Sequence, residues 1–131
     1  MSPEANVLAK HRIERAEAAC REGDLLTEQD AFRGAVNRYY YAAFYAARAL
    51  LATRDVDSAR HAGVIALFQQ HFVKTGAFPA DVARALPRSF EKRLSSDYSD
   101  FVDISAAEVD RVKTDVHAFL GACREYLEKI A

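Results

Sequence analysis

The chain has 131 residues, enough for one domain with its own hydrophobic core, so it needs neither a metal nor a disulfide to fold. Half of the residues are hydrophobic and 28% are charged, as is usual for globular proteins. The formal net charge of -1 excludes binding of nucleic acid through an overall basic field, so any RNA contact requires a local basic patch.

The distribution of charge along the chain predicts neither an export signal nor a membrane anchor. Residues 1–17 carry charges throughout, unlike the apolar core of a secretory signal peptide. No apolar run approaches the roughly 18 residues that cross a bilayer. We therefore expect a cytoplasmic protein without membrane contact.

The cysteines and histidines are few and scattered. The histidines are His11, His61, His71 and His117. Cys20 and Cys123 each lie inside a helical pattern, which favours free thiols in a reducing compartment. Together these residues lack the close spacing of metal ligands along a chain. The sequence therefore predicts no metal site and no cofactor.

The first two helices are indicated by a glycine and a capping motif. Alanine is abundant while glycine and proline are scarce, which favours helices throughout. The first helix is predicted from about Pro3, which suits a first turn, to Glu22, with Gly23 ending it. Residues 27–30, Thr-Glu-Gln-Asp, resemble a capping box and predict a second helix from there to about Thr53.

Three shorter segments follow. Residues 54–58 are polar and predict a loop, with Ser58 as the N-cap of a third helix that ends near Thr75. A short fourth helix is predicted over residues 81–86. Pro87 then starts another turn or helix that ends near Tyr98.

The last helix carries an apolar stripe. Residues 105–108, Ser-Ala-Ala-Glu, form a capping box, and the helix is predicted to reach about Ile130. The stripe consists of Val109, Val112, Val116, Phe119, Cys123, Tyr126 and Ile130. Its steps of three and four residues are typical of a packed helix face, in the core or in a dimer interface. The elements together predict an all-α, antiparallel up-down bundle of about five helices, with residues 1–131 as one domain.

The second helix combines an apolar majority with one polar face. At about 100° per residue its polar side chains fall in one sector, together with the small residues Gly34 and Ala52. The polar residues are Asn37, Arg38, Tyr41, Tyr45 and Arg48. Arginine is costly to bury without a partner, so this face must meet acceptors. Such residues can hold a phosphate and stack a base, or can form structural contacts with Asp97, Glu91 or a backbone carbonyl.

Two later segments hold further candidate residues. His61 opens the third helix and shares its apolar stripe with Ile65, Phe68 and Phe72. The helix dipole disfavours a cation at that end, so we expect a neutral imidazole, in the core or in a site. Arg93 and Asp97 are one turn apart near a helix end and can pair with each other.

Three blocks of the sequence resemble small prokaryotic members of the HEPN superfamily (higher eukaryotes and prokaryotes nucleotide-binding). The first is Asn-Arg-Tyr-Tyr-Tyr-Ala-Ala-Phe at residues 37–44, in which an arginine precedes a Tyr-Tyr-Ala run. The second begins His-Ala-Gly-Val at residues 61–64 and continues to Gly76. The third is Arg93 followed by Asp97 and Tyr98. The blocks come in the expected order between residues 31 and 98.

The resemblance implies a helical bundle, often homodimeric, that binds nucleotides or RNA. Many such relatives act as the toxin of a toxin–antitoxin pair, so the resemblance also implies a minimal nucleotidyltransferase as antitoxin partner. The implied ligand-binding residues are Asn37, Arg38, Tyr41, Tyr45, His61, Arg93, Asp97 and Tyr98.

Nuclease members of the family carry an arginine, then four to six residues, then a histidine. In that motif the arginine stabilises charge on the phosphate and the histidine works near the attacking 2′-hydroxyl. The chain departs from it, because Asp97 or Tyr98 stands where the histidine after Arg93 would be. Some relatives have a histidine where Tyr45 follows Arg38.

A different pair does fit the nuclease spacing. Arg54 and His61 are separated by residues 55–60, although this match crosses a loop. If the chain is a nuclease, the resemblance implies His61, Arg54 and Arg93 as catalytic residues. A shared active site formed across a dimer can also bring Arg38, His61 and Arg93 together without any single linear motif.

Three functional hypotheses remain open from the sequence. The first is a nucleotide- or RNA-binding module, and the second is a metal-independent endoribonuclease toxin. The third is a structural or interaction protein that acts through dimerisation or through a nucleotidyltransferase partner. The three differ in whether the Arg/Tyr face binds a ligand, cleaves RNA or only supports the fold.

Overall fold

Helices account for most of the chain. A computed structural model describes residues 2–98 and 103–130, and every regular element within these ranges is helical. The elements are α1 (Pro3–Glu28), α2 (Phe32–Ala52), α3 (His61–Phe68), α4 (Ala80–Ala83), α5 (Ala85–Tyr98) and α6 (Ala106–Ile130). A π-helical turn, Gln69–Val73, continues α3. With α3 and its π turn counted as one helix, and α4 as a single turn, the predicted all-α bundle of about five helices is confirmed.

α2 is the central helix of the bundle. It packs against α1, α3, α5 and α6. Thirteen of its 21 residues are buried, and seven of those thirteen are alanines. Alanine allows neighbouring backbones to approach closely, while Leu50 and Leu51 fill the core between the helices. The packing of α2 therefore determines where its remaining face points.

The predicted end of the first helix at Gly23 is wrong. α1 continues through this glycine to Glu28, and Gly23 is buried in its interior. A Cβ atom at this position would lie 2.7 Å from the ring of Tyr39, which is fully buried on α2. The glycine therefore allows close packing of α1 on α2 and does not terminate the helix.

The predicted capping box at residues 27–30 is also wrong. Thr27 lies in the last turn of α1, where its hydroxyl donates a hydrogen bond of 2.9 Å to the carbonyl of Gly23. The chain then turns through Asp30, which has a positive φ of 57°. α2 begins at Phe32 without a side-chain cap. The threonine hydroxyl is therefore used inside the helix that ends here.

An ion-pair network shapes the loop between α2 and α3. Arg48 of α2 donates hydrogen bonds of 3.0 and 2.7 Å to the two carboxylate oxygens of Asp57. Arg12 of α1 donates to the same carboxylate at 2.9 Å. The hydrogen bonds from Arg48 lower the pKa of Asp57 to about 2, so this carboxylate is ionised at neutral pH. The network ties the loop to α1 and thereby positions the start of α3.

The third helix begins at His61, three residues after the predicted N-cap. The Ser58 hydroxyl accepts a hydrogen bond of 3.2 Å from the backbone N–H of Arg60, which is a contact within the loop. Arg60 is the residue that immediately precedes the first turn. His61 therefore stands at the N-terminus of α3, as the sequence predicts.

The segments between α3 and α6 follow their predicted ranges with small shifts. The π turn extends α3 to Val73, close to the predicted end near Thr75. The predicted helix over residues 81–86 is divided, because α4 ends at Ala83 and α5 already begins at Ala85. α5 ends at Tyr98, as predicted.

α6 confirms the predicted last helix. The Ser105 hydroxyl accepts a hydrogen bond of 3.2 Å from the backbone N–H of Glu108, as in an N-cap. The stripe is buried at Val109, Val112, Val116, Phe119 and Cys123. It reaches the surface at Ile130, which is 42% exposed. From Val109 to Cys123 the stripe is therefore part of the core.

Two further sequence expectations concern the cysteines and membrane-spanning segments. Cys20 and Cys123 are both buried free thiols. Within residues 2–98 and 103–130, no helix has both the length and the hydropathy of a transmembrane segment.

We expect Gly23→Ala to destabilise the protein, although alanine favours a helix. The added Cβ would overlap the buried ring of Tyr39, and overpacking costs about 1–3 kcal/mol. That exceeds the roughly 1 kcal/mol that alanine gains over glycine in a helix. Urea unfolding followed by circular dichroism measures the free energy of unfolding.

The matched control is Gly121→Ala in α6, where no atom lies within 4 Å of the added Cβ. This variant should be more stable than the wild type by up to about 1 kcal/mol. If both variants were stabilised equally, the close approach of Tyr39 to α1 would be contradicted.

Candidate functional site

The structure confirms that one face of α2 is less buried than the others. From Gly34 onwards the half-buried residues of α2 are Gly34, Asn37, Arg38, Tyr41, Tyr45 and Arg48. Ala52, which shares the predicted sector, is buried, as are all residues outside the sector from Ala35 onwards. The predicted polar face is thus the face that the rest of the bundle leaves uncovered.

Tyr41 is the centre of a cluster that draws residues from three helices. The guanidinium carbon of Arg38 lies 5.0 Å from the centre of the Tyr41 ring, and that of Arg93 on α5 lies 5.4 Å from it. The ring of His61 on α3 is 5.8 Å away, edge to face. We call Arg38, Tyr40, Tyr41, His61 and Arg93 the Tyr41 cluster. It brings together within one chain three site residues that the sequence predicted on separate elements.

His61 is held by aromatic rings and by one hydrogen bond. Its imidazole stacks on Phe44 with a centroid distance of 4.5 Å, and it lies nearly parallel to Phe90, at 7°. Its Nδ1 atom is 2.5 Å from the hydroxyl oxygen of the buried Tyr40. These contacts fix the orientation of the imidazole ring.

The protonation states within the Tyr41 cluster follow from burial and charge. Burial raises the pKa of Tyr40, so its phenol stays protonated. We assign the tautomer in which this phenol donates to His61 Nδ1, because a phenol O–H is a stronger donor than a neutral imidazole N–H. Burial, together with the positive charge of Arg93, lowers the pKa of His61. A neutral imidazole that accepts at Nδ1 carries its proton on Nε2. Among the described residues none accepts this Nε2–H, which leaves it available as a donor.

Arg93 is half-buried and incompletely paired. Its Nε atom lies 3.2 Å from a carboxylate oxygen of Asp97, one turn later on α5. That Nε is buried but makes no hydrogen bond, because the contact lies outside hydrogen-bond geometry. The terminal guanidinium nitrogens have no acceptor among the described residues either. The structural pairing with Asp97 that the sequence left open thus exists, but it leaves donors of Arg93 unused.

Arg38 belongs to the Tyr41 cluster, and Asn37 precedes it on the same half-buried face of α2. Arg38 forms an ion pair of 3.4 Å with Glu22 of α1, and both side chains are partly exposed. Exposed pairs of this kind contribute little, typically below about 1 kcal/mol, so a ligand can displace them. The amide of Asn37 makes no hydrogen bond to any residue in the described part of the chain.

Two other residues of the polar face have structural partners. Arg48 is occupied by Asp57, as described above. The hydroxyl of Tyr45 accepts a hydrogen bond of 3.0 Å from Arg15 of α1, and the Arg15 guanidinium also lies over the Tyr45 ring. The structural role that the sequence allowed for this face therefore applies at its C-terminal end.

Arg54 does not belong to the Tyr41 cluster. Arg54 donates a hydrogen bond of 3.2 Å to the hydroxyl of Tyr126 on α6, and its guanidinium lies 4.9 Å from the centre of the Phe72 ring. Neither of these partners touches His61. Tyr98 is the last residue of α5, and its side chain lies outside the described part of the structure.

Three aromatic residues of the site were missed in the sequence. Tyr40 holds His61, and Phe44 and Phe90 stack on its ring. Tyr40 and Phe44 fall within the block at residues 37–44, but their positions on the wheel predict only burial. Phe90 has no sequence signal beyond an apolar position in α5.

The fold and the site together define a class: an all-α helical bundle in which two arginines lie against a tyrosine of the second helix. The profile of the HEPN domain matches residues 9–126, so the chain belongs to the HEPN family. A "UPF0332 protein" of Thermotoga maritima is 33% identical over 116 residues, which cover 88% of each chain. A "Putative toxin" of Methanocaldococcus jannaschii is 29% identical over 115 residues, 88% of this chain and 78% of the relative.

We expect His61 to make stability depend on pH. The unfolded imidazole binds a proton at about pH 6.5, whereas burial and Arg93 lower the pKa in the folded state. The contribution of His61 is thus present above the unfolded pKa and is lost as pH falls towards the folded pKa. Asp57 stays ionised in this window, since its pKa is about 2.

The measurement is the free energy of unfolding of wild type and His61→Asn between about pH 7.5 and 5.5, a window that spans the ordinary histidine pKa. The variant should lose less stability over this range than the wild type does. His11→Asn, at an exposed position of α1, should behave like the wild type. A parallel decline in His61→Asn and wild type would show that His61 is not the residue responsible.

Proposed function

We propose that this HEPN protein binds the phosphate of a nucleotide or of single-stranded RNA at the Tyr41 cluster. The observation that carries the proposal is the convergence of two guanidinium groups, Arg38 and Arg93, on one tyrosine ring. The Nε2–H of His61 is a third donor beside them. Membership of the HEPN family supports the same class of ligand.

Phosphate suits this site for electrostatic reasons. Two guanidinium groups that share one ring repel each other, and a bound anion relieves this repulsion. Charge-assisted hydrogen bonds from arginine to phosphate oxygens are short and roughly twice as strong as neutral ones. Glu22 and Asp97 only partly neutralise the arginines, at distances of 3.4 and 3.2 Å. A phosphate would therefore replace weak carboxylate contacts with stronger ones.

The surroundings of the arginines favour a nucleotide over a simple anion. The hydroxyl of Tyr41 and the amide of Asn37 have no hydrogen-bond partner among the described residues. An amide can donate to and accept from a base edge, and a phenol can bind a ribose hydroxyl. These groups lie on the same face of α2 as Arg38, so one ligand can contact all of them.

We expect Arg38→Gln and Arg93→Gln each to weaken binding of a short single-stranded RNA about tenfold or more, since a hydrogen bond to a charged group contributes about 1.5–3 kcal/mol. Each substitution should also reduce the slope of log affinity against log salt by about 0.7. Fluorescence anisotropy at several salt concentrations measures both quantities.

Arg124→Gln is the matched control, because Arg124 lies 3.8 Å from Glu17 of α1 and touches no residue of the Tyr41 cluster. It should retain wild-type affinity and salt slope. If all three substitutions weakened binding equally, RNA would be held by general positive charge, and the proposed site would be refuted.

A metal-independent endoribonuclease is the second candidate, because His61 and Arg93 lie beside the same tyrosine ring. The hydrogen bond from Tyr40 limits this function, since it occupies the Nδ1 lone pair of His61. In the assigned tautomer the remaining ring nitrogen carries a proton, so it can donate a hydrogen bond to a phosphate oxygen but cannot accept the proton of a 2′-hydroxyl. Binding is therefore favoured over cleavage.

We expect the purified protein to bind RNA without cutting it in EDTA. Labelled RNA, incubated with wild type and His61→Ala and separated on a gel, provides the test. Cleavage by the wild type that is lost in a folded His61→Ala variant would make the protein a nuclease. Loss of cleavage also in Arg54→Ala would then assign the Arg54–His61 pair.

A toxin role fits this chain through its relatives, two of which carry the name "Putative toxin". In this proposal the protein acts by capturing nucleotide or RNA, as a homodimer and under control of a nucleotidyltransferase antitoxin. Growth arrest on expression, relieved by Arg38→Gln but not by Arg124→Gln, would connect this role to the Tyr41 cluster. If growth arrest persisted in Arg38→Gln, the toxin role would not depend on the Tyr41 cluster.

A further inference from the structure

A second cluster of reactive side chains lies between α1 and α6 and shares no residue with the Tyr41 cluster. Cys20 and Asp24 are one turn apart on α1, and His117 faces them from α6. The Sγ atom of Cys20 is 3.4 Å from Nε2 of His117. The two carboxylate oxygens of Asp24 are 2.9 and 3.1 Å from the same Nε2. All three ligand atoms lie within 4.8 Å of one another.

The geometry does not fit a Cys–His–Asp catalytic relay. In such a relay one ring nitrogen of the histidine contacts the nucleophile, and the carboxylate binds the other ring nitrogen. Here Cys20 and Asp24 both face Nε2 of His117. Three ligand atoms that converge on one point are instead typical of a metal site.

We propose that Cys20 Sγ, Asp24 carboxylate oxygen and His117 Nε2 bind a Zn²⁺-like divalent cation. Zinc takes sulfur at about 2.3 Å and imidazole nitrogen at about 2.0–2.1 Å, so tetrahedral ligands of these types lie about 3.5 Å apart. The observed separation of 3.4 Å between sulfur and nitrogen is close to this value. Cys, His and Asp are all ligand types that zinc accepts.

The cluster has space for a fourth ligand. It borders an open cavity of about 210 Å³, lined also by Glu17, Arg21, Leu120 and Arg124. Cys20 is almost fully buried, whereas His117 is 45% exposed, so the cation would be reached from the solvent side. Three protein ligands and one open position match the arrangement in which a water molecule completes the coordination.

A hydrogen bond orients the proposed carboxylate ligand. The hydroxyl of Tyr39 donates to Asp24 Oδ1 at 2.6 Å, and Thr27 Oγ1 lies 3.1 Å from that hydroxyl. Gly23 gives the Tyr39 ring room to approach α1. Metal-binding carboxylates are commonly held by such outer partners. The close packing at Gly23 therefore also positions Asp24.

A bound cation would have to displace the positively charged side chain of Lys113 from Asp24. Lys113 is 3.9 Å from Asp24 and 39% exposed, so it can turn towards solvent. Zinc binds cysteine in its thiolate form. Binding then forms the metal–sulfur bond and releases the thiol proton to water.

The sequence did not predict this cluster, because its residues are far apart along the chain. Cys20 and His117 are 97 positions apart, and no local motif links them. The sequence predicted no metal site because its cysteines and histidines lack the close spacing of metal ligands along a chain. A cation at this point would tie α1 to α6 and stabilise the folded chain by mass action.

The test uses the full chain, stripped with a chelator and then titrated with Zn²⁺ alone and, in parallel, with Co²⁺. We expect one ion per chain, a higher melting temperature, and a thiolate-to-Co²⁺ charge-transfer band. Cys20→Ser and His117→Gln should each weaken Zn²⁺ binding tenfold or more. His11→Gln and Cys123→Ala should leave it unchanged, since neither residue contacts the cluster.

The spectrum of the wild type decides the question even if a variant fails to fold. The other cysteine, Cys123, is in no group of three possible metal ligands among the described residues, so a thiolate band reports on Cys20. Absence of that band, or Zn²⁺ affinity unchanged in a folded Cys20→Ser variant, would overturn the proposal. Equal weakening in His11→Gln would show non-specific binding and would overturn it as well.

Discussion

Burial of α2 on every side but one is the constraint on which the rest of the structure depends. Its alanines allow α1, α5 and α6 to pack closely, and Gly23 extends that close packing into α1. The same packing leaves no alternative location for the polar residues of α2. They must occupy the single uncovered face, where each polar group needs a protein partner, water or a ligand.

The polar residues of α2 differ along the helix in whether they have hydrogen-bond partners within the protein. At the C-terminal end, Arg48 and Tyr45 are bound by Asp57 and Arg15, and the Asp57 network positions the loop that leads to His61. Towards the N-terminal end, the amide of Asn37 and the hydroxyl of Tyr41 have no partner among the described residues, and Arg93 of α5 and His61 of α3 add unused donors beside them. Structural pairing and open binding capacity therefore coexist on one helix face. This division underlies our proposal that the Tyr41 cluster is the ligand site.

The sequence predicted the bundle and the polar face of α2, because both follow from helical periodicity. It could not predict that Gly23 lies inside a helix, because a glycine that ends a helix and one that admits a neighbouring ring look the same in sequence. The hydrogen bond between Tyr40 and His61 was missed for a related reason: it joins two helices across a loop. The Cys20–Asp24–His117 cluster depends on the packing of α1 against α6, which no local pattern encodes.

The most direct test of the Tyr41 cluster is a nuclear magnetic resonance titration of the protein with a nucleoside 5′-monophosphate. If the cluster binds the phosphate, the ring signals of Tyr41 and His61 and the guanidinium signals of Arg38 and Arg93 will shift together with one affinity. The signals of His117, which lies in the other cluster, will remain in place. Saturable shifts confined to residues outside the Tyr41 cluster, or no saturable shift at all, would contradict the account.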